Sequence, residues 1–252
     1  MFEQIARVPG DAILGLIEAF NKDTNPQKVD LGVGVYRDAN GNTPVMRAVK
    51  QAESRLVENE VTKTYIGSHG DPRFGKVVLP MVLGAESPVL AANRASATQA
   101  PGGTGALRLA ADFIASNLKG RDIWLSTPTW PNHLGIFDAA GVTRHSYPYV
   151  DENNRLDFDG MLATLKTIPE GDVVLLHACC HNPTGFDLDH DDWLRVLEVV
   201  RARELLPLFD FAYQGFGDGL EEDAYGVRLL AENVDEAIIT SSCSKNFAIY
   251  CE

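Results

Sequence analysis

Cysteine is scarce in this chain, with 4 among 252 residues, too few to staple so long a polypeptide through disulfides. The adjacent pair Cys179 and Cys180 therefore reads as buried, reduced thiols. Apolar runs are short as well. Nowhere is there an uncharged stretch long enough to span a bilayer, and the start, Met1-Phe2-Glu3-Gln4-Ile5-Ala6-Arg7, lacks the basic residues and apolar core of an export signal. A cytoplasmic location is the expectation from these absences. Basic charge is also in deficit, 22 Lys and Arg against 35 Asp and Glu, for a formal net charge of -13. A surface of that sign repels a nucleic-acid duplex or an anionic leaflet, so neither nucleic acid nor membrane is expected as a partner, and any anion site has to be local. Repeats and low-complexity tracts are absent too. What remains is a globular chain, 45% hydrophobic and 23% charged, long enough to bury a large core.

What the chain does have is a rhythm. Runs rich in β-branched or aliphatic residues at 94–100, 122–127, 142–147, 172–178, 205–211 and 237–243 alternate with amphipathic stretches at 104–117, 189–203 and 224–233. Strand followed by helix, repeated, predicts an α/β fold with a mostly parallel sheet and helices on both faces. Before residue 94 the pattern changes to an apolar arm, a helix over 11–20 with Asp11 as its N-cap, a Gly-rich turn Gly32-Val33-Gly34-Val35-Tyr36, and a helix from about residue 44 to 59. A boundary near residue 38 divides an N-terminal segment, 1–38, from the sheet domain, 39–252.

Open α/β sheets bind ligands in the crevice beyond the carboxyl ends of their strands, and the chemistry-bearing residues cluster after the predicted strands. Gly102-Gly103-Thr104-Gly105-Ala106 opens a helix and points free N–H groups and a hydroxyl at one spot, which suits a single phosphate or is simply a tight turn. It has neither the lysine of a P-loop nor the spacing of a dinucleotide fingerprint. Trp130, in Pro128-Thr129-Trp130-Pro131-Asn132-His133, can stack on a planar ligand or pack in the core, and His133 reads as a supporting or structural histidine. Asn182-Pro183-Thr184-Gly185 is a turn from which Asn182 can donate into the crevice. Asp210, in an apolar strand, either faces a cationic partner or caps a helix, and Tyr213 beyond it offers a phenol. Lys245, in Ser242-Cys243-Ser244-Lys245-Asn246-Phe247, either forms a Schiff base with an aldehyde or snorkels to solvent. His177-Ala178-Cys179-Cys180-His181 invites a zinc reading, but neighbours along a strand point to opposite faces and do not converge on one ion. Phosphate cradle, stacking ring, phenol, carboxylate and amine together are what pyridoxal phosphate requires, a carboxylate for the ring nitrogen and a lysine for the aldehyde being the recurring protein contributions.

With those residues in hand, the chain resembles the aspartate and aromatic (tyrosine) aminotransferases, class I members of the fold-type I pyridoxal-phosphate-dependent family. The resemblance runs through Leu31-Gly32-Val33-Gly34-Val35-Tyr36, Pro101-Gly102-Gly103-Thr104-Gly105-Ala106, Trp130-Pro131-Asn132-His133, Cys179-Cys180-His181-Asn182-Pro183-Thr184-Gly185, Asp210-Phe211-Ala212-Tyr213-Gln214-Gly215 and Ser244-Lys245-Asn246-Phe247. It implies that Lys245 holds pyridoxal 5'-phosphate as a Schiff base and shuttles the substrate's proton, and that Asp210, backed by His133, keeps the ring nitrogen protonated. By the same resemblance Tyr213 and Asn182 bond the ring oxygen, Trp130 stacks on the ring, and Gly103, Thr104 and Ser242 bind the phosphate. Tyr65 would reach the phosphate of a second subunit in a homodimer, and Gly34, Trp130 and Asn182 would line the site for the substrate's α-carboxylate. The implied activity passes an amino group from aspartate or an aromatic amino acid to 2-oxoglutarate, so the expected partners are amino acids and 2-oxo acids.

The chain also departs from that family. Ala248 and Cys251 stand where a glycine and, commonly, an asparagine are usual, and Glu252 is the last residue just where a phosphate-binding arginine should follow. The family's large domain would continue with an antiparallel strand beside the lysine-bearing one, then most of a small domain and two substrate-binding arginines. The expectation is a carboxy-terminally truncated product or partial sequence of a longer enzyme, the alternative function being an inactive or non-catalytic fragment.

Overall fold

β1 (Ile123–Thr127), β2 (Arg144–Pro148), β3 (Val173–His177), β4 (Leu206–Phe211) and β5 (Ile238–Ser241) form one sheet in a computed structural model of the chain that describes residues 2–4, 12–30, 32 and 34–251. Its order is β2-β1-β3-β4-β5, and each neighbouring pair is parallel. The chain divides into two compact units, residues 1–45 and 46–252, and the sheet belongs to the second.

The first unit holds helix α1 (Ala12–Lys22) and a turn in which the Asp38 carboxylate accepts the N–H groups of Asn40 and Asn42. Lys28 closes the end of α1 by donating to the Phe20 and Asp23 carbonyls. The expected Asp11 cap, and Leu31 and Val33 of the Gly-rich run, lie outside the described residues.

In the second unit α2 (Arg47–Asn59) buries none of its residues. Then come α3 (Pro72–Leu83), opened by Pro72 and an Asp71 carboxylate that accepts the Arg73 N–H, and α4 (Pro88–Ala91), capped by Ser87. The sheet helices are α5 (Gly102–Asn117), α6 (Pro131–Ala140), α7 (Phe158–Leu165), α8 (His190–Ala202) and α9 (Tyr225–Asn233). Helix α8 starts in a full capping box, with Asp189 and Asp192 each accepting the other's backbone N–H. Helices α3, α4, α6 and α7 are not among the amphipathic stretches expected from sequence. α6 shows why, since its 10 residues include Pro131 and Gly135 and bury only His133, Ile136 and Phe137.

Two cores flank the sheet, divided by the alternation of side chains along its strands. On one face Val173, Leu175 and Leu208 meet Leu107, Ala111 and Ile114 of α5 and Phe137 of α6. On the other Val174, Leu176, Phe209 and Phe211 meet α7, α8 and α9. β3 is buried at all of its residues, as a parallel strand covered on both faces should be. The parallel α/β sheet with helices on both faces expected from sequence therefore forms. Among the described residues, no helix is long and apolar enough to cross a membrane.

One expected strand does not form. Residues 94–100 have strand-like sequence, yet the segment has no ladder; its Gln99 N–H bonds the His69 carbonyl in a loop. A cavity of about 760 Å³, lined by Ala97 and Gln99 from this segment and by Ile238 and Ile239 of β5, separates it from the nearest strand. Extended backbone becomes a strand only when its N–H and C=O groups meet a partner, and among the described residues β5 pairs only with β4.

The topology places the crevice. The chain goes from β1 outward to β2 and then crosses to β3 on the other side of β1, so the order reverses between β1 and β3. Such a switch point opens a cleft at the carboxyl ends of the strands, where Thr127 and His177 end β1 and β3.

Candidate active site

At that cleft the strand ends are tied together by an ordered chain of hydrogen bonds. Asn182 N–H reaches His177 Nδ1 at 3.4 Å, and His177 Nε2 lies 3.3 Å from Thr129 Oγ1. Thr129 Oγ1 is 2.8 Å from His133 Nδ1, and His133 Nε2 is 3.1 Å from Asp210 Oδ2. A backbone N–H can only donate and a carboxylate can only accept, so both ends fix the direction of every bond between them. His177 is therefore the Nε2–H tautomer, donating to a threonine hydroxyl that donates to His133, whose Nε2–H points at Asp210.

His133 is fully buried and the Asp210 side chain is 13% exposed, and among the described residues the His133 Nε2–H is the one hydrogen bond to this carboxylate, which leaves it able to accept from a cation. The helix-capping alternative for Asp210 fails, because Asp210 lies inside β4 in register with His177 and Thr240.

His181 forms a second layer. Its ring stacks on Tyr149 at 3.8 Å and lies 4.1 Å from that of His177. Ser126 Oγ and Thr184 Oγ1 each sit 2.9 Å from one of its nitrogens. Burial holds its pKa down at about 4, and burial together with the neighbouring His181 and His133 holds His177 well below the ordinary range. Both imidazoles are thus neutral near pH 7. The reasoning that places His177, Cys179, Cys180 and His181 along one strand does not hold. β3 stops at His177, and Cys180 at φ 49° turns the chain so that His181 returns onto His177. Asp187 fixes this turn by accepting the Cys180 and His181 N–H groups at 2.7 and 2.9 Å.

The turn aims Asn182 at the next strand's loop, where its Nδ2 lies 3.4 Å from the Tyr213 hydroxyl. Burial and the charge of Asp210 raise the pKa of that phenol. Lys245 is on the turn after β5, half-buried, with Nζ 5.2 Å from the centroid of the Tyr213 ring. Trp130 meets His133 edge-on at 5.3 Å.

Gly103 and Ser242 adjoin as well. A Cβ on Gly103 would lie 3.3 Å from Ser242 Cβ and 3.5 Å from its Oγ, so α5 begins with bare backbone against a buried hydroxyl. Pro101, the N-cap of α5, supplies no side-chain hydrogen bond to the helix's first N–H groups. Thr104 is exposed in the same first turn.

The structure thus draws together His133, Asp210, Asn182, Tyr213 and Lys245, with Trp130 beside them, and separately pairs Gly103 with Ser242. Tyr65 is fully exposed, and Gly34 is an exposed residue of the other unit. Sequence reasoning misses Thr129 and the bridging place of His177. The one local signal is a hydroxyl four residues before His133 at a helix start.

The profile of the family described as "Aminotransferase class I and II" matches residues 26–252. Over 249 residues, 99% of this chain and 62% of the relative, the sequence is 65% identical to the aromatic-amino-acid aminotransferase of Pseudomonas aeruginosa. It is 49% identical to the aspartate aminotransferase of Escherichia coli over 253 residues, 100% of this chain and 64% of that protein. Among solved structures, an aromatic amino acid aminotransferase from Burkholderia cenocepacia superimposes with a TM-score of 0.96 at 48% identity, covering all of this chain and 64% of its own. The aromatic-amino-acid aminotransferase of Burkholderia pseudomallei, described as covalently bound to pyridoxal phosphate, gives 0.95 at 47% identity, with 100% and 63% covered. This chain spans less than two thirds of the length of these relatives.

Proposed function

We propose that this chain, which belongs to the class I and II aminotransferases, carries the pyridoxal-phosphate site and the proton-transfer lysine of an enzyme that passes the amino group of an aromatic amino acid or aspartate to 2-oxoglutarate. The observation that carries the reading is the convergence of a buried carboxylate, a phenol, an amide and an amine at the carboxyl ends of β3, β4 and β5. The residues fit the cofactor. Asp210, with one neutral donor on its carboxylate, matches a protonated ring nitrogen, and the uncapped start of α5 against Ser242 matches a phosphate. The 65% identity to an aromatic-amino-acid enzyme supports aromatic substrates ahead of aspartate.

When bound, pyridoxal phosphate supplies an electron sink that acidifies the substrate's Cα–H. The rest of the chemistry falls to the chain. Lys245 would anchor the cofactor covalently and then, as a free amine, would take the proton from the substrate Cα and deliver it as general acid to the carbon that bore the cofactor's aldehyde. Asp210 holds positive charge on the ring nitrogen, and the neutral relay through His133, Thr129 and His177 keeps its carboxylate an acceptor. Tyr213 and Asn182 bind the ring oxygen, Trp130 covers the ring, and Gly103, Thr104 and Ser242 hold the phosphate. Trp130 and Asn182 would receive the substrate's α-carboxylate. The full exposure of Tyr65 supports a role on the phosphate site of a second copy in a homodimer. Work in the cytoplasm is part of the same proposal.

The test is to load the protein with pyridoxal phosphate, record its visible absorbance, reduce with borohydride and map the labelled peptide. A visible band and a label on Lys245 are expected, with transamination of tyrosine or aspartate to 2-oxoglutarate abolished by Lys245→Ala. A colourless protein that leaves Lys245 unlabelled would sink the reading.

A further inference from the structure

The Tyr213 hydroxyl owes its place to a loop that its own strand does not support. β4 ends at Phe211, and Tyr213 lies beyond it, its oxygen met among the described residues by Asn182 Nδ2 at 3.4 Å. The loop then runs on through a glycine-rich stretch, Gln214-Gly215-Phe216-Gly217-Asp218-Gly219, a sequence with little conformational preference of its own.

Asp223 folds it. Its carboxylate, 7% exposed, accepts the N–H groups of Gly215 at 2.8 Å, Gly217 at 3.0 Å, Asp218 at 2.8 Å and Gly219 at 3.4 Å. A charge buried this far needs compensation, and backbone donors on both oxygens supply it. Gly217 is required for this wrap, because a Cβ there would come within 2.6 Å of Asp223 Oδ1. Gln214, 1% exposed, ties the loop to the fold by donating from Nε2 to the Met81 and Leu220 carbonyls, both at 2.9 Å. The Phe216 N–H then closes back on the Tyr213 carbonyl at 3.0 Å. The residue bearing the phenol is thus held between β4 on one side and this clamp on the other.

We propose that Asp223 is a positioning residue: by folding the loop after β4 it sets the Tyr213 hydroxyl against Asn182 and beside Lys245. This rests on the reading of Tyr213 as a cofactor ligand. The charged and titratable groups that face the phenol are Asp210, Lys245, Cys180 and Tyr250, and Asp223 acts on it only through the backbone.

The test is a double-mutant cycle on the protein with and without pyridoxal phosphate, using Asp223→Asn, Tyr213→Phe and their combination. In the cofactor-free protein, the Tyr213 resonance of ring-¹³C-labelled tyrosine, assigned by its loss in Tyr213→Phe, moves in Asp223→Asn towards that of exposed tyrosine. In the loaded protein, the pH midpoint of the visible band shifts in Asp223→Asn in the same direction as in Tyr213→Phe, by about 0.5 pH unit or more. Asp223→Asn adds nothing in the Tyr213→Phe background, and Asp223→Glu brings the midpoint most of the way back to the parent's. An equal shift in both backgrounds, or an unmoved Tyr213 resonance, overturns the proposal. So does loss of cooperative unfolding in both Asp223 variants, since Asp223 would then hold the fold and not one phenol. If no visible band forms with any variant, the cofactor reading fails, while the tyrosine resonance still decides the role of Asp223.

Discussion

The carboxyl ends of β3 and β4 and the outer margin of β5 are made of similar aliphatic sequence and end in opposite conditions. At β3 and β4 each strand has a neighbour on both sides, the side chains are buried on both faces, and the residues that emerge are locked into a directed relay from Asn182 to Asp210. At β5 the neighbouring segment 94–100 has strand-like sequence but no ladder, and a cavity of about 760 Å³ lies where side chains of both could interdigitate. The lesson concerns rigidity. Among the described residues, the carboxylate that would hold a ring nitrogen lies in a strand paired on both sides, whereas the lysine follows a strand paired on one.

The largest test of this contrast is a pair of truncations. Phe209→Ala, inside β4 and fully buried, is expected to cost about 3–5 kcal/mol in urea unfolding, whereas Ile239→Ala, half-buried against the cavity, costs about 1 kcal/mol. Equal losses would mean that β5 is as well packed as β4.

Acid should attack the ordered side next. His181 has a folded pKa of about 4 against an ordinary 6.5, so between those values the unfolded chain binds more protons and stability falls as pH falls. His177, shifted the same way, adds to the effect. A loss of about 2 kcal/mol from His181 alone is expected between pH 7 and pH 5, and His181→Gln should flatten the slope. A slope unchanged in that variant would show that the imidazole is not the group responsible.

Thr129→Val, which leaves His133 Nδ1 and His177 Nε2 without their shared hydroxyl, should lower stability by about 1–3 kcal/mol. A stability equal to the parent's would mean that the relay contributes no rigidity. The smallest effect is expected at 94–100. Ser96→Val raises strand propensity, yet with no ladder to join it should change stability by no more than about 0.5 kcal/mol; a clear gain would reveal pairing there.

Much of the fold and the site is legible in the sequence. The central strand β3 can be read because a strand buried on both faces needs an unbroken aliphatic stretch, and Val173-Val174-Leu175-Leu176 announces one. Asp210, Tyr213, Asn182 and Lys245 can be singled out because polar residues at or just beyond the carboxyl ends of such runs lie where open sheets bind ligands. The segment 94–100 misleads because a ladder is a property of two segments, and one segment's composition carries no record of its partner. Helices α6 and α7 escape notice because they are short and bury few residues.

By itself, then, the sequence determined the alternation of strand and helix, the residue types of the candidate site and their succession along the chain, because these depend on local pattern and side-chain chemistry. Only the tertiary structure decided that His177 bridges to His133 through Thr129, that Asp223 wraps the loop beyond Tyr213, and that 94–100 stays out of the sheet. The relay depends on residues far apart in the chain, such as the 77 positions separating His133 from Asp210, which packing alone brings within 3.1 Å, and the loop depends on Asp223 being buried where four backbone N–H groups can reach it.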